Sequence, residues 1–174
     1  MKLYLVRHGE SQSNYDNKHN RAYFCGQLDV PLTKKGIEGA KNLESYFKDK
    51  HIDHVYKRQT ITSLLRERSL GVFEGEYKDK LMQDAQYHRY FNDPEYKDFR
   101  HSFTQKAPEG ESYRDVHNRV HQFFEQMNMS DDKTIVIVAH QVVIRCIFAY
   151  FNVIGEEEAL DYNVENCKPY FLEV

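Results

Sequence analysis

A chain of 174 residues, 40% hydrophobic, 29% charged and 14% aromatic, has a globular composition and the length of one domain with a substantial core. Its net charge of -3, with lysines and arginines dispersed, gives no nucleic-acid footprint and no polybasic membrane anchor. No apolar run approaches the roughly 20 residues of a membrane helix, and the quickly charged N-terminus does not read as a signal peptide.

Lys2 to Val6 reads as a buried strand. Ser11 to Val30 is polar and turn-rich, a loop with a short helix. Pro31-Leu32-Thr33-Lys34-Lys35-Gly36 reads as a helix start with Thr33 as N-cap. Ile37, Ala40, Leu43 and Phe47 then carry a helical stripe to about residue 48. A second strand is expected over Ile52 to Tyr56, and a glycine-containing loop over Glu67 to Gly75. Residues 77 to 108 are dense in Tyr, Phe, His and basic residues, with breaks at Pro94 and Pro108. This segment reads equally as an aromatic satellite cluster and as a lid or specificity segment over the main body. Ser112 to Met127 is a stronger helix, with Val116, Val120, Phe123, Phe124 and Met127 on one stripe. Thr134 to Ala139 is continuously apolar, as in the interior of a parallel sheet. A nearly all-apolar helix over Val142 to Phe151 and a last strand over Tyr170 to Val174 complete the chain. Strands alternating with helices predict an α/β fold with a mostly parallel sheet in a single domain. Cys25, Cys146 and Cys167 are odd in number and far apart, which favours reduced thiols and a cytoplasmic setting.

Three stretches carry chemistry. The first is Arg7-His8-Gly9, at the C-terminal end of the first strand, where ligands bind in open α/β sheets. Arginine presents a planar fork to phosphate oxygens. A neutral imidazole can attack phosphorus and carry the group covalently. Glycine lets the backbone approach the ligand. The second is Val138-Ala139-His140-Gln141, which repeats the pattern of a strand ending in histidine. Adjacent parallel strands would set His8 and His140 side by side, one as nucleophile and one as charge stabiliser. The third is the loop from Leu65 to Gly75, where Glu67 or Glu74 could protonate a leaving oxygen.

Together these stretches resemble the histidine phosphatase superfamily, the phosphoglycerate mutase-like proteins. The likeness runs along nearly the whole chain and includes Pro31-Leu32-Thr33 with Gly36, the Glu67 to Gly75 loop, and Pro108-Glu109-Gly110-Glu111-Ser112. It implies a three-layer sandwich with helices on both faces of the sheet, and hydrolysis of a small phosphate monoester without metal or other cofactor. It also implies His8 as nucleophile, Arg7 and His140 as phosphoryl ligands, Asn14 as a phosphate contact and Glu67 as acid/base. Glu74 then belongs to a structural Glu-Gly turn. Gly26 is grouped with the substrate-binding residues. A finer likeness to the bisphosphatase half of the fructose-2,6-bisphosphate enzymes rests on Gly110-Glu111-Ser112-Tyr113 and His140-Gln141-Val142-Val143-Ile144-Arg145-Cys146. It implies that Tyr113, Gln141 and Arg145 bind sugar phosphate. The Tyr, Arg and Lys that hold the second phosphate in that branch have no clear counterparts within 77 to 108.

Other chemistries fit these residues less well. Mutase-type phosphoryl transfer and a degenerate phospho-ligand binding domain are the alternatives; the short chain and the presence of His8, Glu67 and His140 favour hydrolysis. No cysteine is followed six residues later by arginine, as tyrosine phosphatase chemistry would need. His117 and His121 lack the intervening Glu of a zinc hydrolase motif and read as a solvated face. The oligomeric state is not legible. One departure stands out. The family follows its second strand with a helix start carrying a second phosphate-binding arginine, whereas Val55-Tyr56 runs here into Lys57-Arg58-Gln59-Thr60 and Glu67 arrives almost at once. A segment is therefore expected to be missing after Tyr56, with Arg58 as at most a relic of the clamp.

Overall fold

The computed structural model describes residues 1–57, 62–127 and 132–174. Strand β1 (Lys2–Arg7) leads through helix α1 (Gln12–His19) to helix α2 (Lys34–Phe47) and strand β2 (His54–Lys57). Short helices α3 (Lys78–Gln83) and α4 (Arg89–Asn92) precede the long helix α5 (Tyr113–Glu125). Strand β3 (Thr134–Ala139), helix α6 (Gln141–Tyr150), helix α7 (Glu156–Asp161) and strand β4 (Pro169–Glu173) follow. The sheet among the described residues runs β2-β3-β1-β4, with β4 antiparallel to β1 and the other pairs parallel. The expected elements are present with ends shifted by a residue or two, and the structure adds α7.

The register assigns each side chain to a layer. The rows His54–Ile135–Leu3–Leu172 and Tyr56–Ile137–Leu5–Tyr170 face α5 and α6. There they meet Val116, Val120, Phe123, Val143, Ile144 and Ile147 in the main core. Leu3, Leu5, Ile137, Val143, Ile144 and Ile147 are all fully buried. Each contributes about 1.5–3 kcal/mol of transfer free energy to this face. The alternate row Val55–Val136–Tyr4–Phe171 faces α2, where the Tyr4 ring stands edge-on to Phe47 at 5.4 Å. One helix is about 10 Å wide and four strands span roughly 14 Å between outer axes, so α2 covers only the middle of this face. The ends of the row remain open: Val55 is 48% and Phe171 47% exposed.

Local chemistry places α2 and α5. The Thr33 side chain accepts from the Gly36 amide, as expected of its N-cap. Ser112 and Asp115 close a reciprocal capping box at the start of α5. The segment from 77 to 108 folds around its own buried centre, formed by Phe24, Leu70, Phe73, Leu81, Tyr90, Phe99 and Ala107. Phe73 is its hub, with Phe24, Tyr87, Tyr90 and Phe99 rings at 5.3–5.7 Å.

Strand β2 runs through Tyr56 and Lys57, with Lys57 opposite Val138. The crossover that a parallel neighbour requires is made much later, by α5, before the chain enters β3. The short spacing between β2 and Glu67 therefore does not by itself require a further helix there. Arg58, the candidate relic of the second clamp, lies outside the described residues. Cys25, Cys146 and Cys167 form no disulfide. Among the described residues no helix is long and apolar enough to cross a membrane.

Candidate active site

The C-terminal ends of β1 and β3 open into a cavity of about 590 Å³, within the size range of small-molecule sites. Parallel pairing sets Arg7 beside Ala139, so His8 and His140 leave adjacent strands together. Their rings face each other with centroids 4.9 Å apart. The backbone beneath them is tied from three sides. The His8 amide donates to Ala139 O at 3.1 Å, Asn166 Nδ2 donates to His8 O at 2.7 Å, and the Cys167 amide donates to Arg7 O at 2.9 Å.

His8 Nδ1 lies 2.7 Å from the Gly9 carbonyl. A carbonyl only accepts, so Nδ1 carries the proton and Nε2 keeps its lone pair. Burial, with the facing His140 ring second, pushes the His8 pKa down to about 4. The imidazole is thus held neutral, in the tautomer that leaves Nε2 nucleophilic. Arg7 Nη1 donates to Val164 O at 2.7 Å, while its Nε is buried without a hydrogen-bond partner among the described residues. A buried donor left unmet costs about 1–3 kcal/mol, which an arriving anion would recover. His140 is the extended N-cap of α6 and makes no side-chain cap bond, so the first-turn amides of α6 start at the same cavity.

Glu67 lines the cavity from the opposite loop. Its Oε1 accepts from the Arg68 amide at 2.8 Å, and its backbone carbonyl accepts from Gln27 Nε2 at 2.9 Å. Glu74, the other candidate acid, accepts instead from Ser69 Oγ and the Leu70 amide, and is absent from the cavity wall. Gly26 lies against it with φ +51°; a Cβ there would meet the Glu74 carboxylate at 2.2 Å.

Asn14, Gly26, Tyr113, Gln141 and Arg145 also line the cavity. Asn14 Oδ1 is committed to the Ser11 amide in a capping box, so only its amide nitrogen is available for a ligand. Arg145 is buried; its Nε donates to Tyr162 O, and its Nη1 to Leu160 O and the Tyr113 hydroxyl, each at 2.7 Å. The sequence reading missed three further cations. Arg68 is buried, with its guanidinium 4.8 Å from the Tyr113 ring centre. Arg100 lines the cavity and sits over the Phe24 ring at 5.4 Å; Lys78 lies over the same ring at 5.6 Å but is not part of the cavity wall. Arg68 could have been suspected from its place beside Glu67; nothing in the local pattern marks Arg100.

The model of the histidine phosphatase superfamily, branch 1, matches residues 3–59 and 57–174. The chain belongs to that family. It is 25% identical to a 2,3-bisphosphoglycerate-dependent phosphoglycerate mutase of Methanosarcina acetivorans, covering 96% of this chain and 89% of that one. It is 29% identical to a 6-phosphofructo-2-kinase/fructose-2,6-bisphosphatase of Caenorhabditis elegans, covering 86% of this chain but 34% of that longer protein. The crystal structure of an alpha-ribazole phosphatase from Shigella flexneri superposes with a TM-score of 0.79 at 26% identity, covering 100% of this chain and 91% of that one. The mutase alignment runs over 231 positions, more than the 174 residues present here. That relative carries residues inside the aligned range that this chain lacks, and the family match divides at 57–59, next to where the sequence departs from the pattern.

Proposed function

We propose that the protein hydrolyses small phosphate monoesters through a phosphohistidine at His8 Nε2, with no metal. The observation that carries this is the neutral His8 facing His140, beside a buried Arg7 Nε that has no hydrogen-bond partner among the described residues. The Nε2 lone pair attacks phosphorus as the ester P–O bond breaks. The leaving oxygen takes a proton from the Glu67 carboxyl. Arg7, His140 and the α6 amides hold the non-bridging oxygens, where charge gathers in a loose phosphoryl transition state. Glu67, now a carboxylate, then takes a proton from water. The resulting hydroxide displaces His8 Nε2 from phosphorus and releases inorganic phosphate. Every charge the reaction develops on phosphate thus meets a cation or an amide of the chain.

The same reading places the substrate's body against Tyr113, Gln141 and Arg145. Arg68 and Arg100 on the cavity wall support a substrate with a second anionic group, such as a sugar bisphosphate or a phosphorylated acid. A cytoplasmic setting fits three cysteines that form no disulfide. A panel of phosphate esters assayed for released phosphate tests the reading, with His8→Ala as control. Isomerised substrate without released phosphate would instead indicate mutase transfer. Binding without turnover would indicate a phospho-ligand module.

A further inference from the structure

The catalytic loop is short and irregular, yet it must hold a carboxyl group at one place in the cavity. One ion pair holds backbone groups of the loop on both sides of Glu67. Arg119, on α5 and 8% exposed, forms a two-pronged bridge to Glu111: Nε to Oε1 at 2.8 Å and Nη2 to Oε2 at 2.9 Å. The remaining arginine nitrogen, Nη1, donates to the carbonyls of Leu64 and Arg66. Glu111 Oε2 accepts from the Ser69 amide at 2.9 Å, and the Glu111 amide donates back to Ser69 O at 2.9 Å. Arg66 Nη2 adds a longer contact to Glu111 Oε1 at 3.3 Å. The ion pair thus grips the chain directly before Glu67, at Arg66, and two residues after it, at Ser69. Neither Glu111 nor Arg119 lines the cavity.

We infer that the Glu111–Arg119 pair is the positioning device of the acid/base Glu67. The inference rests on the reading of Glu67 given above. The physical logic is that one rigid helix start serves two purposes. It carries Tyr113 to the cavity wall, and through Glu111 and Arg119 it fixes the loop on which the acid rides. Both arginine and glutamate are satisfied by the pairing, so the clamp leaves no buried charge unmet. A lysine at 119 could not reproduce it, because a point charge has no planar fork to bridge a carboxylate and two carbonyls together.

The test is the dependence of kcat/KM on the leaving group, which a general loss of structure would not move. With an alkyl phosphate, Glu67→Gln should lose roughly hundredfold or more, and with p-nitrophenyl phosphate far less. Glu111→Gln and Arg119→Lys should each show the same selectivity more weakly, losing roughly tenfold on the alkyl ester while the aryl ester stays within about threefold. Arg119→Lys keeps the charge beside Glu111 and serves if Glu111→Gln does not fold. In Glu67→Gln/Glu111→Gln the second change should lower the alkyl-to-aryl ratio no further, because there is no acid left to misplace. Equal losses on both esters, or independent losses in the double variant, overturn the positioning role while leaving Glu67 as acid. If Glu67→Gln itself shows no leaving-group dependence, the assignment of the acid fails first.

Discussion

His8 and His140 stand ring to ring at 4.9 Å, delivered by neighbouring parallel strands, and the pair lies in a partly buried cavity lined by several arginines. Burial and that facing ring lower the His8 pKa to about 4. In the unfolded chain it returns to the ordinary value near 6.5. Above pH 6.5 the group is neutral in both states and costs nothing. As pH falls from about 6.5 toward 4, the unfolded chain takes up a proton that the folded protein refuses, so stability is lost through that window. The shift corresponds to about 3 kcal/mol. Chemical denaturation at pH 7.5 and pH 4.5 should therefore show a smaller loss for His8→Gln than for the unaltered protein. An unchanged pH slope would mean that His8 is not held neutral.

Acid-labile phosphate should be recoverable on His8 when turnover is quenched in denaturant, and His8→Ala should have no measurable phosphatase activity. Peptide mapping of labelled protein decides where the label sits. Label on another residue, or none in an active enzyme, rejects the covalent route. EDTA should leave the rate unchanged, since arginine, histidine and helix amides supply the charge that a metal would otherwise provide.

Arg145→Ala should raise KM for sugar bisphosphates more than for p-nitrophenyl phosphate. The variant also strands the Tyr113 hydroxyl and two carbonyls, so about 1–3 kcal/mol of stability per unmet buried group should go with it. Steady-state kinetics on both substrates, read beside a melting curve, separates the two effects. Equal KM changes would place Arg145 in the scaffold alone.

Gly36 is where α2 touches the Arg-His-Gly turn. A Cβ at Gly36 would lie 2.1 Å from the Glu10 carbonyl, and the reciprocal Cβ at Gly9 would lie 2.3 Å from Gly36 O. These are backbone atoms and cannot swing aside. Gly36→Ala should push α2 off the turn and cost roughly 1–3 kcal/mol, in the range of overpacked interiors. A melting temperature matching the unaltered protein would show that the turn tolerates the displacement.

The sequence by itself determined the alternation of strands and helices, the caps at Thr33 and Ser112, and the two strand-end histidines. These are local signals: a period of two or 3.6, an apolar run of fixed length, a hydroxyl before a helix. By resemblance it also set Glu67, as the proposed acid, apart from Glu74, which accepts from Ser69 Oγ and the Leu70 amide. The tertiary structure alone decided what depends on distance along the chain. Parallel pairing of β1 with β3 brings His8 against His140 across more than a hundred residues. Packing of the 77–108 cluster around Phe73 brings Arg100 to the cavity mouth, though no motif marks it. The return of β2 to the sheet through α5, rather than through an immediate helix, was equally hidden, because sequence order does not state which strand becomes a neighbour. The grip of Glu111 and Arg119 on the loop around Glu67 follows the same rule. Glu111 precedes the cap of α5 and Arg119 lies within that helix, so no helical period relates them, and only the folded chain says which backbone they hold.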